Sequence, residues 1–566
     1  MSKKLLLSFC VASNLFAQYD DHYKSGAARI AHIMSNEETD VGVSAKKNIK
    51  YAETQNLVHD LNTTEIAHFF DCKTVWGTIY LQETLNNPIR LEDLPAVLQR
   101  QNAIKTLVEN PAIKKEVDQL LEMVKQSEND IILLFSDYFK GQNCPELANL
   151  EIIKKQNPYL YPFFKLITYN PKAKCAATAL SLISIPIGTA TTAYLAKISY
   201  DLARAGYHSI NMYLLTAYCG LLDGISMYGA YKDYSLGSEK RKKLHALNQL
   251  ITSAELIEKL CSQFGIEQHY KISDYKDIVG YQLIKELKHD RYARKQCALF
   301  LTSSVHTFIY KLYEHDKQLA QLFATIGEMD AYNAVANKIL ASKEQGNKFC
   351  FARFNENKNA FIQATNFWNV LVTNPIVNSI SEDRNIILTG PNKGGKTTAI
   401  RALLQNIVMA QSFGIAAAEY FESSVFDVIH SYLNVSDDLI NGFSLFASEL
   451  KRAQEILQRI KSLNNNEKFF FALDELFTGT VAEDGEQCAH EFIKKIGNYD
   501  GIQFIYATHF NKLKELAEHN ARCVNYRVDA PFKNEEGKLM YPFTLSKGYS
   551  DSRVALDLAR EAQLFD

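Results

Sequence analysis

"LTGPNKGGKTTAI", residues Leu388–Ile400, is the stretch on which the reading of the fold turns. Gly390, four residues, then Gly395-Lys396-Thr397 matches the phosphate-loop pattern G-x-x-x-x-G-K-[ST]. The apolar "RNIIL" before it reads as a strand and "TTAIRALLQNIV" after it as a helix. Glycines let backbone N–H groups turn toward phosphate oxygens, and the helix start adds the positive end of its dipole. Gly390, Pro391, Asn392, Lys393, Gly394, Gly395, Lys396, Thr397 and Thr398 are therefore the candidate nucleotide-binding residues. Lys396 would reach the β- and γ-phosphates and Thr397 would hold Mg²⁺, so ATP with Mg²⁺ is the implied cofactor. A glycine turn without a ligand is the plain alternative.

Two elements further along the chain belong with this loop. "FFFALDEL" is an apolar strand ending in Asp474-Glu475. An Asp at the end of a buried strand can enter the Mg²⁺ shell, and the adjacent Glu475 could act as general base toward the attacking water. Solvated acids closing a strand are the alternative. "IQFIYATHF" is a second buried strand, ending in Thr508-His509, and His509 could sense the γ-phosphate from the same sheet edge. A strand-end His is otherwise commonly structural.

From about residue 350 short apolar runs alternate with helical patterns, which predicts an α/β domain with a parallel sheet and crossover helices over 351–566. The chain before it reads differently. "LEDLPAVLQRQNAIKTLVENPAIKKEVDQLLEMVKQ" repeats apolar residues every three or four positions, with Asn110-Pro111 as an interruption. "KKLHALNQLITSAELIEKL" is a further amphipathic run. The predicted fold class is thus a P-loop NTPase α/β domain preceded by a mainly helical region over 61–350.

Composition adds bounds. The 566 residues carry a net charge of -2, with 47% hydrophobic and 22% charged residues, so any nucleic-acid surface must be local. Ten cysteines are scattered without a Cys-x-x-Cys pair, which argues against a zinc site and a disulfide framework.

Two segments raise the question of a membrane. "MSKKLLLSFCVASNLFAQ" has the basic, apolar and small-residue order of a secretory signal, with 1–17 as the cleaved part; a buried helix is the alternative. Residues 175–231 hold two nearly uncharged stretches around a short polar turn, with basic residues outside both ends. They fit a membrane hairpin with both ends cytoplasmic. Pro186, Asp223 and many hydroxyl residues fit a buried hairpin instead. Export by a signal and a hairpin that returns the chain would leave the nucleotide domain away from ATP. An ATPase is expected in the cytoplasm, with membrane association as the variant.

The elements, in their order, resemble the DNA mismatch-repair MutS family. "TGPNKGGKTT" is similar to that family's Gly-Pro-Asn-Met-Gly-Gly-Lys-Ser-Thr loop, and Pro391-Asn392 is the distinctive pair. "GIAAAEY", "NGFSLFASELKRAQEIL", "DELFTGTVAEDG", "ATHF" and "YPFTLSKGYSDSRVALDLA" continue the likeness over about 375–560. A weaker likeness upstream covers Thr74, Gly77, Pro88 and Arg100-Gln101. The resemblance implies a homodimeric ATPase that couples ATP through helical levers to DNA. It also implies that Ser444 is donated to the partner subunit's nucleotide. Phe443 and Leu445 replace Arg and Thr, and Phe477-Thr478 replace Gly-Arg. No counterpart of the mismatch-reading N-terminal domain or of the C-terminal dimerisation tail is expected. The apolar pair 175–231 stands where the family grips the DNA backbone. Two other readings remain: a membrane-tethered ATPase acting on a non-DNA partner, and an ATP-binding scaffold without turnover.

Overall fold

The computed structural model describes residues 57–140, 192–198, 200, 201, 204, 242, 245–267, 319–355, 359–391, 393–433, 445–462, 467–499, 501–535 and 539–550. The signal-like segment 1–17 and most of the apolar pair 175–231 lie outside these residues, as do Asn392 and Ser444. Among the described residues no helix is long and apolar enough to cross a membrane. The five described cysteines, Cys72, Cys261, Cys350, Cys488 and Cys523, are free thiols.

By Cα packing the chain divides into two units. One gathers 1–41, 119–259 and 270–326. Its described part is helical, and along 245–259 the buried residues Leu247, Leu250, Ile251, Ala254 and Ile257 recur every three or four positions. That spacing puts them on one helix face, as the sequence pattern predicts.

The other unit gathers 42–118, 260–269 and 327–566 and contains the phosphate loop. Its centre is a six-stranded sheet in the order β14-β11-β5-β10-β9-β8. These strands are β5 (Asn385–Thr389), β8 (Val428–Tyr432), β9 (Phe469–Asp474), β10 (Ile502–Ala507), β11 (Cys523–Val528) and β14 (Leu545–Lys547). All neighbours pair parallel except β14 with β11. Strands buried on both faces need continuous apolar runs rather than alternation, and β5, β8 and β10 are buried at every position. Phe469, Phe471, Leu473, Phe504 and Tyr506 anchor one core cluster, with the rings of Phe471 and Phe504 stacked at 5.4 Å. Each such ring removed from water contributes roughly 1.5–3 kcal/mol. A second sheet, β2-β7-β3-β4, uses β2 (Arg353–Asn355), β3 (Ile362–Phe367), β4 (Asn378–Glu382) and β7 (Tyr420–Ser424). Short ribbons join β1 (Cys350–Phe351) to β6 (Ile415–Ala416), and β12 (Phe532–Lys533) to β13 (Leu539–Met540).

The helices are α1 (Thr63–Phe70), α2 (Val75–Asn86), α3 (Leu94–Glu109), α4 (Pro111–Lys140), α5 (Leu319–Gln345), α6 (Lys396–Phe413), α7 (Leu445–Lys461), α8 (Ala482–Ile496) and α9 (Asn511–His519). Pro111 opens α4, where its missing N–H costs no helix bond. Helix α6 follows the phosphate loop and is buried on almost its whole circumference. Gly414, at φ 69°, closes it in the left-handed region.

The division does not follow the border at 350 suggested by the change of pattern. Helices α1–α3 belong to the unit of the six-stranded sheet because they carry hydrogen-bonding partners for α6. Arg100 donates to the Ser412 carbonyl at 2.9 Å, and Gln101 donates to the carbonyls of Ala352 at 2.8 Å and Gly414 at 2.6 Å. The Ser412 and Gly414 carbonyls stand at the end of α6, where carbonyls lack an intrahelical partner. Gln411 and Ser412 reach back to the carbonyls of Ile89 and Thr84. The start of α2 is held by Asp330, which accepts the Thr74 N–H and hydroxyl at 2.7 Å each. A Cβ on Gly77 would lie 2.2 Å from the same carboxylate, so only glycine fits there.

Candidate phosphate-loop site

Strands β5, β10 and β9 lie side by side and parallel, so their C-terminal ends share one sheet edge. Ala507 pairs with Leu388 on one side and Asp474 on the other. The phosphate loop, His509 and the Asp474-Glu475 pair therefore converge because the strands that precede them end at one level.

At the loop, the Gly394 N–H donates to the Pro391 carbonyl at 3.0 Å. Lys393, at φ 63°, and Gly395, at φ 96°, take left-handed backbone, which makes the turn tight enough to start α6. Gly390 lies against Val528, Lys393 and Thr398 are exposed, and Asn392 is outside the described residues. Lys396 is buried, and its ammonium donates to the Gly390 carbonyl at 3.2 Å. Burial pulls its pKa below the usual lysine range, against the opposing charges of Glu475 and Asp474.

The Thr397 hydroxyl donates to the Asp474 carboxylate. Burial pushes the Asp474 carboxyl above its ordinary range despite that bond. A carboxylate desolvated in this way favours a cation beside it, so the Thr397–Asp474 pair fits a Mg²⁺ site. Among the described residues no group of three or more His, Cys, Asp or Glu could hold a metal. This donor set therefore suits an ion that keeps water and phosphate oxygens as its other ligands.

Glu475 is half-buried and adopts φ 53°, unusual for a residue with a Cβ. Its Oε1 lies 2.8 Å from His509 Nε2 and 3.6 Å from Lys396 Nζ. The same His509 nitrogen is 3.0 Å from Lys396 Nζ. The His509 contact is the main reason the Glu475 carboxyl sits below its usual range, so it is a carboxylate at neutral pH. All three residues singled out as catalytic thus touch one another. Ser444 lies outside the described residues, immediately before α7.

A cavity of about 720 Å³ opens over Lys396, Thr397 and Glu475. Its lining also includes residues that motif reading passed over: Val372, Asn374, Pro375, Ile376 and Phe543. The Phe543 ring stands over Gly395, where an added Cβ would come within 2.9 Å of it. Its ring stacks on Tyr541 at 5.8 Å, and its carbonyl accepts from the Asn378 side chain at 3.1 Å. The Asn374-Pro375 dipeptide, with Asn374 at φ 53°, was a readable turn signal. The exposed apolar residues Val372 and Ile376 beside it gave no motif. Phe543 lay within "YPFTLS" but had no assigned role.

The family model described as MutS domain V matches residues 386–566. The DNA mismatch repair protein MutS of Streptococcus pyogenes serotype M1 is 28% identical over 300 residues. That match covers 52% of this chain and 33% of the relative. The protein of the same name from serotype M5 (strain Manfredo) matches to the same extent. The chain spans about a third of the length of the curated relatives it matches.

Proposed function

The chain belongs to the MutS family through its domain V, residues 386–566, and from that premise we propose that it is a P-loop ATPase. The observation that carries this reading is the contact set at one sheet edge: Thr397 on Asp474, and Glu475 between His509 and Lys396. Phosphoryl transfer needs positioning and charge compensation rather than covalent chemistry, and these side chains supply both.

ATP would lie with its triphosphate along 390–398 and its base toward Phe543. Gly395 and Lys396 would meet phosphate oxygens with backbone N–H groups and the ammonium. Thr397 and Asp474 would hold Mg²⁺, which when bound would supply positive charge to offset that of the phosphates. Glu475 accepts the proton of the attacking water at its carboxylate, and His509 keeps that carboxylate ionised and oriented. By resemblance, Ser444 reaches the nucleotide of a partner subunit, so the working form is a homodimer.

Glu475→Gln tests the assigned base. Turnover should fall by roughly 10²–10⁴-fold while Mg²⁺–ATP is still retained. Turnover unchanged within twofold would remove Glu475 from the mechanism, and loss of retention would mean that it serves binding instead.

We extend the reading to DNA on the ground that the relatives are named DNA mismatch repair proteins. ATP state would then be passed from α6 to the helices α1–α3 through Arg100 and Gln101. Filter binding that weakens as salt rises supports this part, because phosphate contacts release counterions. Binding that does not respond to salt argues against it.

A further inference from the structure

Glu449, on the first turns of α7, is fully buried, and its carboxylate faces two backbone N–H groups and, at 3.4 Å, the Thr478 hydroxyl. Oε1 accepts the Thr478 N–H at 3.1 Å and Oε2 accepts the Gly479 N–H at 3.1 Å. No cation pairs with it among the described residues. A buried carboxylate is costly to desolvate, and two charge-assisted bonds from consecutive N–H groups are what offset that cost here.

The loop that it grips begins at Glu475. Glu475 at φ 53° and Phe477 at φ 72° both occupy left-handed backbone that residues with a Cβ avoid. Such backbone persists only where its surroundings over-determine it. Two bonds do so from the sheet side, Glu475 N–H to the Ala507 carbonyl at 3.0 Å and the Tyr506 hydroxyl to the Leu476 carbonyl at 2.7 Å, and one within the loop, the Thr478 hydroxyl to the Glu475 carbonyl at 3.0 Å. Glu449 supplies the hold from the other side. Gly479 lies so close to the α7 start that a Cβ would sit 2.7 Å from the Phe446 nitrogen. In sequence α7 begins directly after Ser444.

We propose that Glu449 is a positioning residue that fixes the Glu475 carboxylate by tying its loop to the first turns of α7. Two consequences follow. Glu449 controls the hydrolytic step without contributing to nucleotide affinity, and the first turns of α7 and the general base move as one piece. This rests on the ATPase reading and deepens it.

The test measures steady-state turnover and Mg²⁺–ATP retention on the full chain. In Glu449→Gln one of the two N–H groups faces an amide NH₂ instead of an oxygen. Its kcat should fall at least tenfold with ATP affinity within about threefold of the parent. In a Glu475→Gln background the same change should cost nothing further, because the group through which it acts is already gone. Gly479→Ala, which pushes the loop off α7, should reproduce the same split between kcat and affinity. Glu449→Gln with kcat unchanged, with affinity and kcat lost together, or with an effect that adds in full to Glu475→Gln overturns the proposal. So does unfolding of Glu449→Gln while Gly479→Ala keeps full turnover, since the carboxylate is then only structural. A parent chain without turnover would instead refute the ATPase reading itself.

Discussion

The cavity over the phosphate loop has two kinds of lining, a phosphate end and an apolar end, built by different means. At the phosphate end the groups come from one glycine-rich loop, a buried ammonium, two consecutive acids at the end of β9 and a histidine just beyond the neighbouring β10. Each is held by another: Lys396 by the Gly390 carbonyl, Thr397 by Asp474, Glu475 by His509. At the other end Val372, Pro375, Ile376 and Phe543 present apolar surface from two distant stretches of chain, and several of them are partly exposed. The first end is electrostatic and preorganised; the second is shaped by contact alone. The contrast teaches where affinity and selectivity should divide. Charge pairing at a fixed site should dominate the binding of any triphosphate, whereas stacking on Phe543 should decide only whether a base is attached.

The strongest way to break that division is Lys396→Ala. Loss of a desolvated cation facing phosphate should weaken Mg²⁺–ATP binding roughly 100-fold, as expected for a hydrogen bond to charged groups. Inorganic triphosphate should lose affinity by a similar factor. If ATP affinity is unchanged in a titration calorimeter, the ammonium is not at the phosphates and the assignment of this end fails.

Phe543→Ala probes the other end with a smaller effect. Base–aromatic stacking contributes about 1–3 kcal/mol, so ATP affinity should fall roughly tenfold. Inorganic triphosphate, which has no base to stack, should bind the variant as it binds the parent. An equal loss for both ligands would show that the ring supports the Gly395 turn rather than a base, and the two ends would no longer be separable.

The two ends were also unequal in the sequence. The phosphate end could be read because its chemistry demands particular residues at fixed spacing. Gly395-Lys396-Thr397 must open a helix, and an acid must end a neighbouring strand. The parallel sheet that brings Asp474 and His509 to the loop was likewise legible in the uninterrupted apolar runs "FFFALD" and "IQFIYA". The base end has no such demand, since many apolar residues on many loops can stack on a ring. Glu449 was equally hidden. Its pattern in α7 is that of one acid among several in an amphipathic helix, and only the fold turns it inward to Thr478 and Gly479. The packing of the early helices against α6 was hidden for a related reason. Composition changes at 350, but Arg100 and Gln101 seek helix-end carbonyls over 300 residues away in sequence, a pairing that local periodicity cannot express.

His430 gives the smallest effect on the nucleotide and the clearest control. It lies on β8, an outer strand of the same sheet, buried beside the rings of Tyr432 and Phe469 at 5.9 and 5.5 Å. Neither ring nitrogen has a hydrogen-bond partner among the described residues. Burial, with a smaller push from the Arg459 charge, brings its pKa down to about 4. Above the unfolded value of about 6.5 the imidazole is neutral in both states and contributes no pH dependence. Below it the unfolded chain takes a proton that the folded chain refuses, so stability falls as pH drops from about 6.5 toward 4. The fall attributable to this one group is at most roughly 3 kcal/mol. His430→Phe removes the titration. Denaturant midpoints of parent and variant should change in parallel at neutral pH and diverge in favour of the variant as pH falls through that window, with ATP affinity equal in both at pH 7.5. Parallel curves down to pH 4 would mean that the ring is protonated inside the fold, and that this edge of the sheet is wetter and more polar than the apolar ring contacts around it imply.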